Sequence, residues 1–126
     1  PFDDLAARGQ GVPLEVYFSG DATRAYVSAA KPGHLNVYDV TDPASPKHLM
    51  AVPAAAGAHH MAFSQDGRLV FVQNSLLNLE GMSDGSISVI DLEKGEKIDS
   101  IDTLKNAGLR PNCIVLLPEY GSAHTH

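Results

Sequence analysis

Glu15-Val-Tyr-Phe-Ser-Gly-Asp-Ala-Thr-Arg-Ala-Tyr-Val-Ser28 and His60-Met-Ala-Phe-Ser-Gln-Asp-Gly-Arg-Leu-Val-Phe-Val-Gln73 are two copies of one pattern. In each, two apolar runs flank a Ser-x-Asp turn. A second shared phrase follows, His34-Leu-Asn-Val-Tyr-Asp-Val40 in the first copy and Ser86-Ile-Ser-Val-Ile-Asp-Leu92 in the second. A unit of about 45 residues built from short alternating strands cannot bury both faces of its own sheet, and it becomes stable by stacking on neighbours of its kind. That is the sequence signature of β-propeller blades.

Working outward, the coarse reading is nearly all strand. Strands are expected at 16–19, 24–28, 35–40 and 48–52, and again at 61–64, 69–73, 87–92 and 97–101, with Gly, Asp and Pro turns between them. Helix is expected only as a turn near Leu104 to Ala107. The fold class is therefore all-β: two four-stranded propeller blades, 12–53 and 58–102, then a lone innermost strand at 110–118 and a tail at 119–126. Arg110-Pro-Asn-Cys-Ile-Val-Leu-Leu-Pro118 reads as the opening of a third repeat. Two blades are too few to close a ring, so the expectation is the C-terminal portion of a propeller of about seven or eight blades. The alternative is a short chain whose copies assemble the ring.

Composition narrows the function classes. The 126 residues carry a formal charge of −6 with only nine Lys and Arg, scattered along the chain, which argues against nucleic acid as a partner. No apolar run approaches the roughly 18 residues of a membrane span. The single cysteine, Cys113, excludes an intrachain disulfide and is expected as a small buried hydrophobe within an apolar strand. Gly-rich phosphate loops, haem-attachment motifs, nucleophile elbows and zinc-protease helices are all missing from the sequence.

The copies differ in one place. The Phe-Ser-x-Asp phrases are 45 residues apart and the Val-x-Asp phrases 52, so seven extra residues lie between the second and third strands of the second unit, within Asn74 to Gly85. Leu76, Leu77, Leu79 and Met82 make this loop apolar. It is expected either to cap a neighbouring blade or to form a subunit contact or pocket wall.

The phrases Phe63-Ser-Gln-Asp-Gly-Arg-Leu-Val-Phe-Val72 and Gly85-Ser-Ile-Ser-Val-Ile-Asp-Leu92 resemble the YVTN-type repeats of extracytoplasmic β-propellers, a family similar in shape to the propellers of nitrous-oxide reductase and the haem-d1 nitrite reductases. Val12-Pro-Leu-Glu-Val-Tyr-Phe18 and Val37-Tyr-Asp-Val-Thr-Asp-Pro43 also resemble selenium-binding-protein propellers. The resemblance covers about residues 12 to 118 and implies a periplasmic or secreted setting. It fixes no activity, because such blades carry enzymes, binding proteins and scaffolds alike.

Histidine carries the candidate chemistry. Repeat alignment sets Glu15, His60 and Asn112 at one level on successive blades, where the innermost strands of a propeller ring the channel mouth. His59 and His60 together are metal-ligand candidates, since imidazole suits copper, zinc and iron. The competing reading is a histidine that hydrogen-bonds the loop backbone. The resemblance to nitrous-oxide reductase, where paired histidines hold copper, implies copper as the metal. His124 and His126 form a His-x-His tail, while His34 and His48 are expected on the surface. Asp39 and Asp91 are expected as strand-end residues whose carboxylates accept backbone N–H bonds. No catalytic residue is assigned, and whether the protein is an enzyme is left open.

Three functions follow as expectations: a binding or scaffold module of the cell envelope presenting loops to a protein partner or small ligand; part of a copper-dependent oxidoreductase; or a lectin-like oligomer of two-blade chains. In each the first partners are further blades, of the same polypeptide or of other copies.

Overall fold

The computed structural model describes residues 3–117. They form two antiparallel four-stranded sheets, each a meander in chain order. Sheet 1 holds β1 (Gly11–Phe18), β2 (Arg24–Lys31), β3 (Gly33–Asp39) and β4 (Lys47–Pro53); sheet 2 holds β5 (Ala58–Phe63), β6 (Leu69–Asn74), β7 (Ile87–Asp91) and β8 (Glu96–Ile101). Among the described residues, helix is confined to a 3-10 turn at Leu5–Arg8 and to α1 (Thr103–Asn106).

The repeat persists in the strand register. Val16↔Val27, Tyr17↔Tyr26 and Phe18↔Ala25 in sheet 1 become Met61↔Val72, Ala62↔Phe71 and Phe63↔Val70 in sheet 2. Irregularities recur as well. Register shifts between Pro13 and Val16 in β1 and between Ala58 and Met61 in β5, then between Val37 and Tyr38 in β3 and between Val89 and Ile90 in β7. Bulges reproduced at matching positions are features of the unit and not accidents of one copy.

The repeated polar residues have local work. Ser19 Oγ donates to Asp21 Oδ1 (2.7 Å) and accepts from the Arg24 amide (3.0 Å). Ser64 Oγ does the same with Asp66 (2.7 Å) and the Leu69 amide (2.9 Å). Each pair closes the turn between the first two strands of its sheet. Asp39 accepts the Thr41 amide (2.9 Å), and Asp91 accepts those of Glu93 (2.9 Å) and Lys94 (3.1 Å). These carboxylates end their strands by satisfying amides that the ladder leaves over.

The sheets pack face against face, and the two faces are not equivalent. Tyr17, Leu35, Val37 and Val52 of sheet 1 share one core with Ala58, Met61, Val70, Val72 and Ile90 of sheet 2. Tyr17, Tyr26 and Val37 reach this seam from sheet 1, yet their repeat counterparts Ala62, Phe71 and Val89 lie outside it. Conversely, Val70, Val72 and Ile90 fill the seam, whereas their counterparts Ala25, Val27 and Tyr38 form a separate cluster with Val40 on the far face of sheet 1. The contact is head to tail, the kind that propagates around a ring or along a filament.

Residues 3–10 cover part of that far face. Leu5 packs on its cluster. Gln10 and Asn36 exchange amide hydrogen bonds (3.1 and 2.7 Å), with His48 Nε2 3.0 Å from Asn36 Oδ1. Tyr38 donates to Asp3 (2.6 Å), which is also paired with Arg8 (2.8 Å). His48, expected on the surface, is thus half-buried in a polar network, and burial, with the nearby Arg8 charge, lowers its pKa. The register shift between β3 and β4 sets His48 on the far face beside Tyr38 and Asn36, although Met50, two residues on, packs in the seam; a regular alternation read from sequence hides that.

Two further expectations change. Over the described residues 111–117 no strand forms, because an innermost strand needs a second strand beside it and the described chain supplies none. Cys113, without that strand, is exposed and not buried. The inserted loop folds back on the connection between the sheets, with the Asp84 amide donating to Ala56 O (3.1 Å), while Leu77 and Leu79 stay exposed.

Candidate metal centre at the sheet seam

Successive residues on a regular strand point to opposite faces. His59 and His60 escape that rule because they lie in the β5 bulge, between the pairs Ala58↔Asn74 and Met61↔Val72. Two residues there oppose the single Gln73, and the extra residue re-aims the side chains. The matching bulge in β1 holds Leu14 and Glu15, with the Glu15 amide 3.3 Å from Ser28 Oγ. Packing the sheets head to tail brings one bulge beside the other.

As a result, Glu15, His59 and His60 each offer a donor atom, and these lie within 4.8 Å of one another. His59 Nε2 is 3.4 Å and His60 Nε2 3.8 Å from the same oxygen, Glu15 Oε1. All three side chains are half-buried, and the imidazole rings lie tilted by 39° with centroids 4.2 Å apart. Tyr17 Oη stands 3.3 Å from His60 Nδ1. Burial raises the Tyr17 pKa, so the phenol keeps its proton at neutral pH. His59 Nδ1 is buried and has no hydrogen-bond partner among the described residues.

The structure therefore brings three of the four residues singled out from sequence into one cluster. Asn112 is exposed; its carbonyl accepts from Gln73 Nε2 (3.1 Å), and its Oδ1 stands 3.5 Å from Ser75 Oγ. His34 makes a local contact, Nδ1 to Pro32 O at 3.1 Å. His124 and His126 lie outside the described residues. Sequence reasoning missed Tyr17, which reads as an ordinary core aromatic, and it missed the bulge. A signal for the bulge exists: Ala58 and Met61, three apart, both face the same core, which a regular strand forbids.

Two imidazoles and a carboxylate fit a divalent copper or zinc ion and suit neither calcium nor magnesium, which select all-oxygen sites. The copper that the resemblance implies is thus chemically compatible with the residues present. No protein-family model matches the sequence, and a search of curated proteins finds no match.

Proposed function

We propose that this chain supplies two blades of an extracytoplasmic YVTN-type β-propeller of about seven or eight blades, acting as a binding or scaffold module for a protein partner or small ligand. The head-to-tail seam carries this reading. Sheet 2 turns outward the face that sheet 1 buries, so the same contact can be repeated beyond sheet 2; the matching face of sheet 1 is partly covered by residues 3–10, with Leu5 on its cluster, and a further blade there would pack around or in place of that segment. The inserted loop, with Leu77 and Leu79 exposed beside the connection between sheets, offers a surface for a partner.

Electron-microscopic imaging of the protein, paired with its solution mass, tests the proposal. The expected result is a toroid of radial sheets whose mass is that of one polypeptide. A ring whose mass is a multiple of this chain would replace the proposal with self-assembly of two-blade copies. A lone two-sheet particle would overturn both.

A further inference from the structure

The geometry points to a mononuclear divalent-metal site clamping the two sheets together. Glu15 from β1 and the imidazoles of His59 and His60 from β5 hold one late first-row ion of the zinc class. A fourth position is left for water or a Lewis-basic ligand. All three donors belong to this chain, so the site stands apart from the propeller reading.

Three observations converge on it. The first is spacing. At 3.4 and 3.8 Å the Glu15 contacts are too long for good hydrogen bonds. The shorter matches the edge of a tetrahedron with metal–ligand bonds of about 2.1 Å, whose donors stand about 3.4 Å apart, and the longer is a few tenths of an ångström beyond it. Secondly, His59 Nδ1 makes no hydrogen bond among the described residues and His59 Nε2 has only the long Glu15 contact, although the side chain is only 16% exposed. A buried polar ring so poorly satisfied costs stability that a ligand bond would offset.

The third is orientation. With a cation on His60 Nε2, Nδ1 carries the ring hydrogen and donates it to the Tyr17 oxygen. That is the outer contact by which proteins hold a ligating histidine in place. Tyr17 belongs to the seam core, so the ring is anchored through sheet 1 while its backbone belongs to sheet 2. Three protein donors of the His, His, Glu type are a known zinc set that keeps one position open. An ion shared between sheets also stabilises the seam by mass action, since the separated sheets cannot present all three donors.

The test uses the full chain, stripped with a chelator and titrated with zinc chloride by calorimetry, with melting temperature as a second readout. One zinc per chain is expected, together with a higher melting temperature. Glu15→Gln, nearly isosteric, and His59→Ala should each weaken zinc binding at least tenfold and abolish the rise in melting temperature, while melting cooperatively without metal. The double variant His124→Ala/His126→Ala and the single variant Cys113→Ser should bind as the parent does. Absence of stoichiometric binding overturns the site. So does unchanged affinity in Glu15→Gln and His59→Ala, or loss of binding in the tail or Cys113 variants instead.

Discussion

Sheet 1 and sheet 2 share a strand order, a register and a set of bulges, and they differ in what each face touches. Val16 is 50% exposed and its counterpart Met61 is 3% exposed; Phe18 is 48% exposed while Phe63 packs in the seam. One backbone design thus meets two environments. Position within the unit sets the side chain's direction, and only the neighbouring sheet decides whether that direction is interior. The bulges make the same point for chemistry. In β1 the bulge offers a carboxylate, in β5 two imidazoles, and the candidate metal centre exists only where one unit meets the next.

The sharpest way to break the comparison is through matched glycines. Gly33 opens the third strand of its sheet and its repeat counterpart Gly85 lies just before the third strand of the other. A Cβ at Gly33 would stand 1.7 Å from the Ala55 carbonyl oxygen, a backbone clash with nowhere to go. Gly33→Ala should therefore cost upwards of ~4 kcal/mol, read by denaturant unfolding. At Gly85 the φ of +88° is the main obstacle and the nearest atom, Leu109 O, is 3.1 Å away. Gly85→Ala should cost less, about 1–2 kcal/mol from the left-handed backbone.

Truncating equivalent apolar residues comes next. Met61→Ala empties part of the seam and should cost about 3 kcal/mol. Val16→Ala, on the open face, should stay within about 0.5 kcal/mol. Equal losses would mean that the sheets do not use different faces.

A smaller contrast concerns the strand-end carboxylates. Asp91 is 1% exposed and paired with Arg68 Nη2 at 3.0 Å, whereas Asp39 is more open and stands 3.6 Å from Arg24. The Arg68 hydrogen bond is the leading cause of the lowered Asp91 pKa; for Asp39 the leading cause is the Thr41 amide. Arg68→Ala should accordingly destabilise more than Arg24→Ala in thermal melts.

The mildest test is acid. Hydrogen bonds from Ser19 and Thr23 hold the Asp21 pKa at about 2, and its counterpart Asp66 is lowered by Ser64 and the Arg68 amide. Arg8, opposed by partial burial and aided by Tyr38, holds Asp3 at about 2. Groups lowered on folding stabilise the native state above their unfolded pKa, near 3.8, and lose that contribution as pH falls toward 2. Melting temperature should dip slightly as pH falls below about 6.5, where the unfolded chain charges His48 before the folded one does, and then decline again below about pH 4. Asp21→Asn and Asp66→Asn should each flatten the decline.

How much of this was legible follows from what each feature depends on. All eight strands were readable because alternation and Ser-x-Asp turns are local. Glu15 and His60 could be set at one level from the repeat alone. Their approach could not, since it needs two bulges and the choice of facing sides. Cys113 and the segment at 110–117 differ for the opposite reason: an apolar run predicts a strand, but pairing, a non-local event, makes one, and the described residues offer this segment no partner strand. The network of Gln10, Asn36 and His48 escaped notice because residues 26 apart gave no hint of meeting.

The head-to-tail seam underlies the account, and aromatic contacts test it most directly. Tyr26 and Phe63 ring centroids are 4.8 Å apart, and Tyr17 and Phe63 meet edge-on at 6.1 Å. Nuclear Overhauser spectra of the chain should connect both tyrosine rings to Phe63. Strong cross-peaks between Tyr26 and its counterpart Phe71, with none to Phe63, would mean that equivalent faces meet about a two-fold axis, and the account would be wrong.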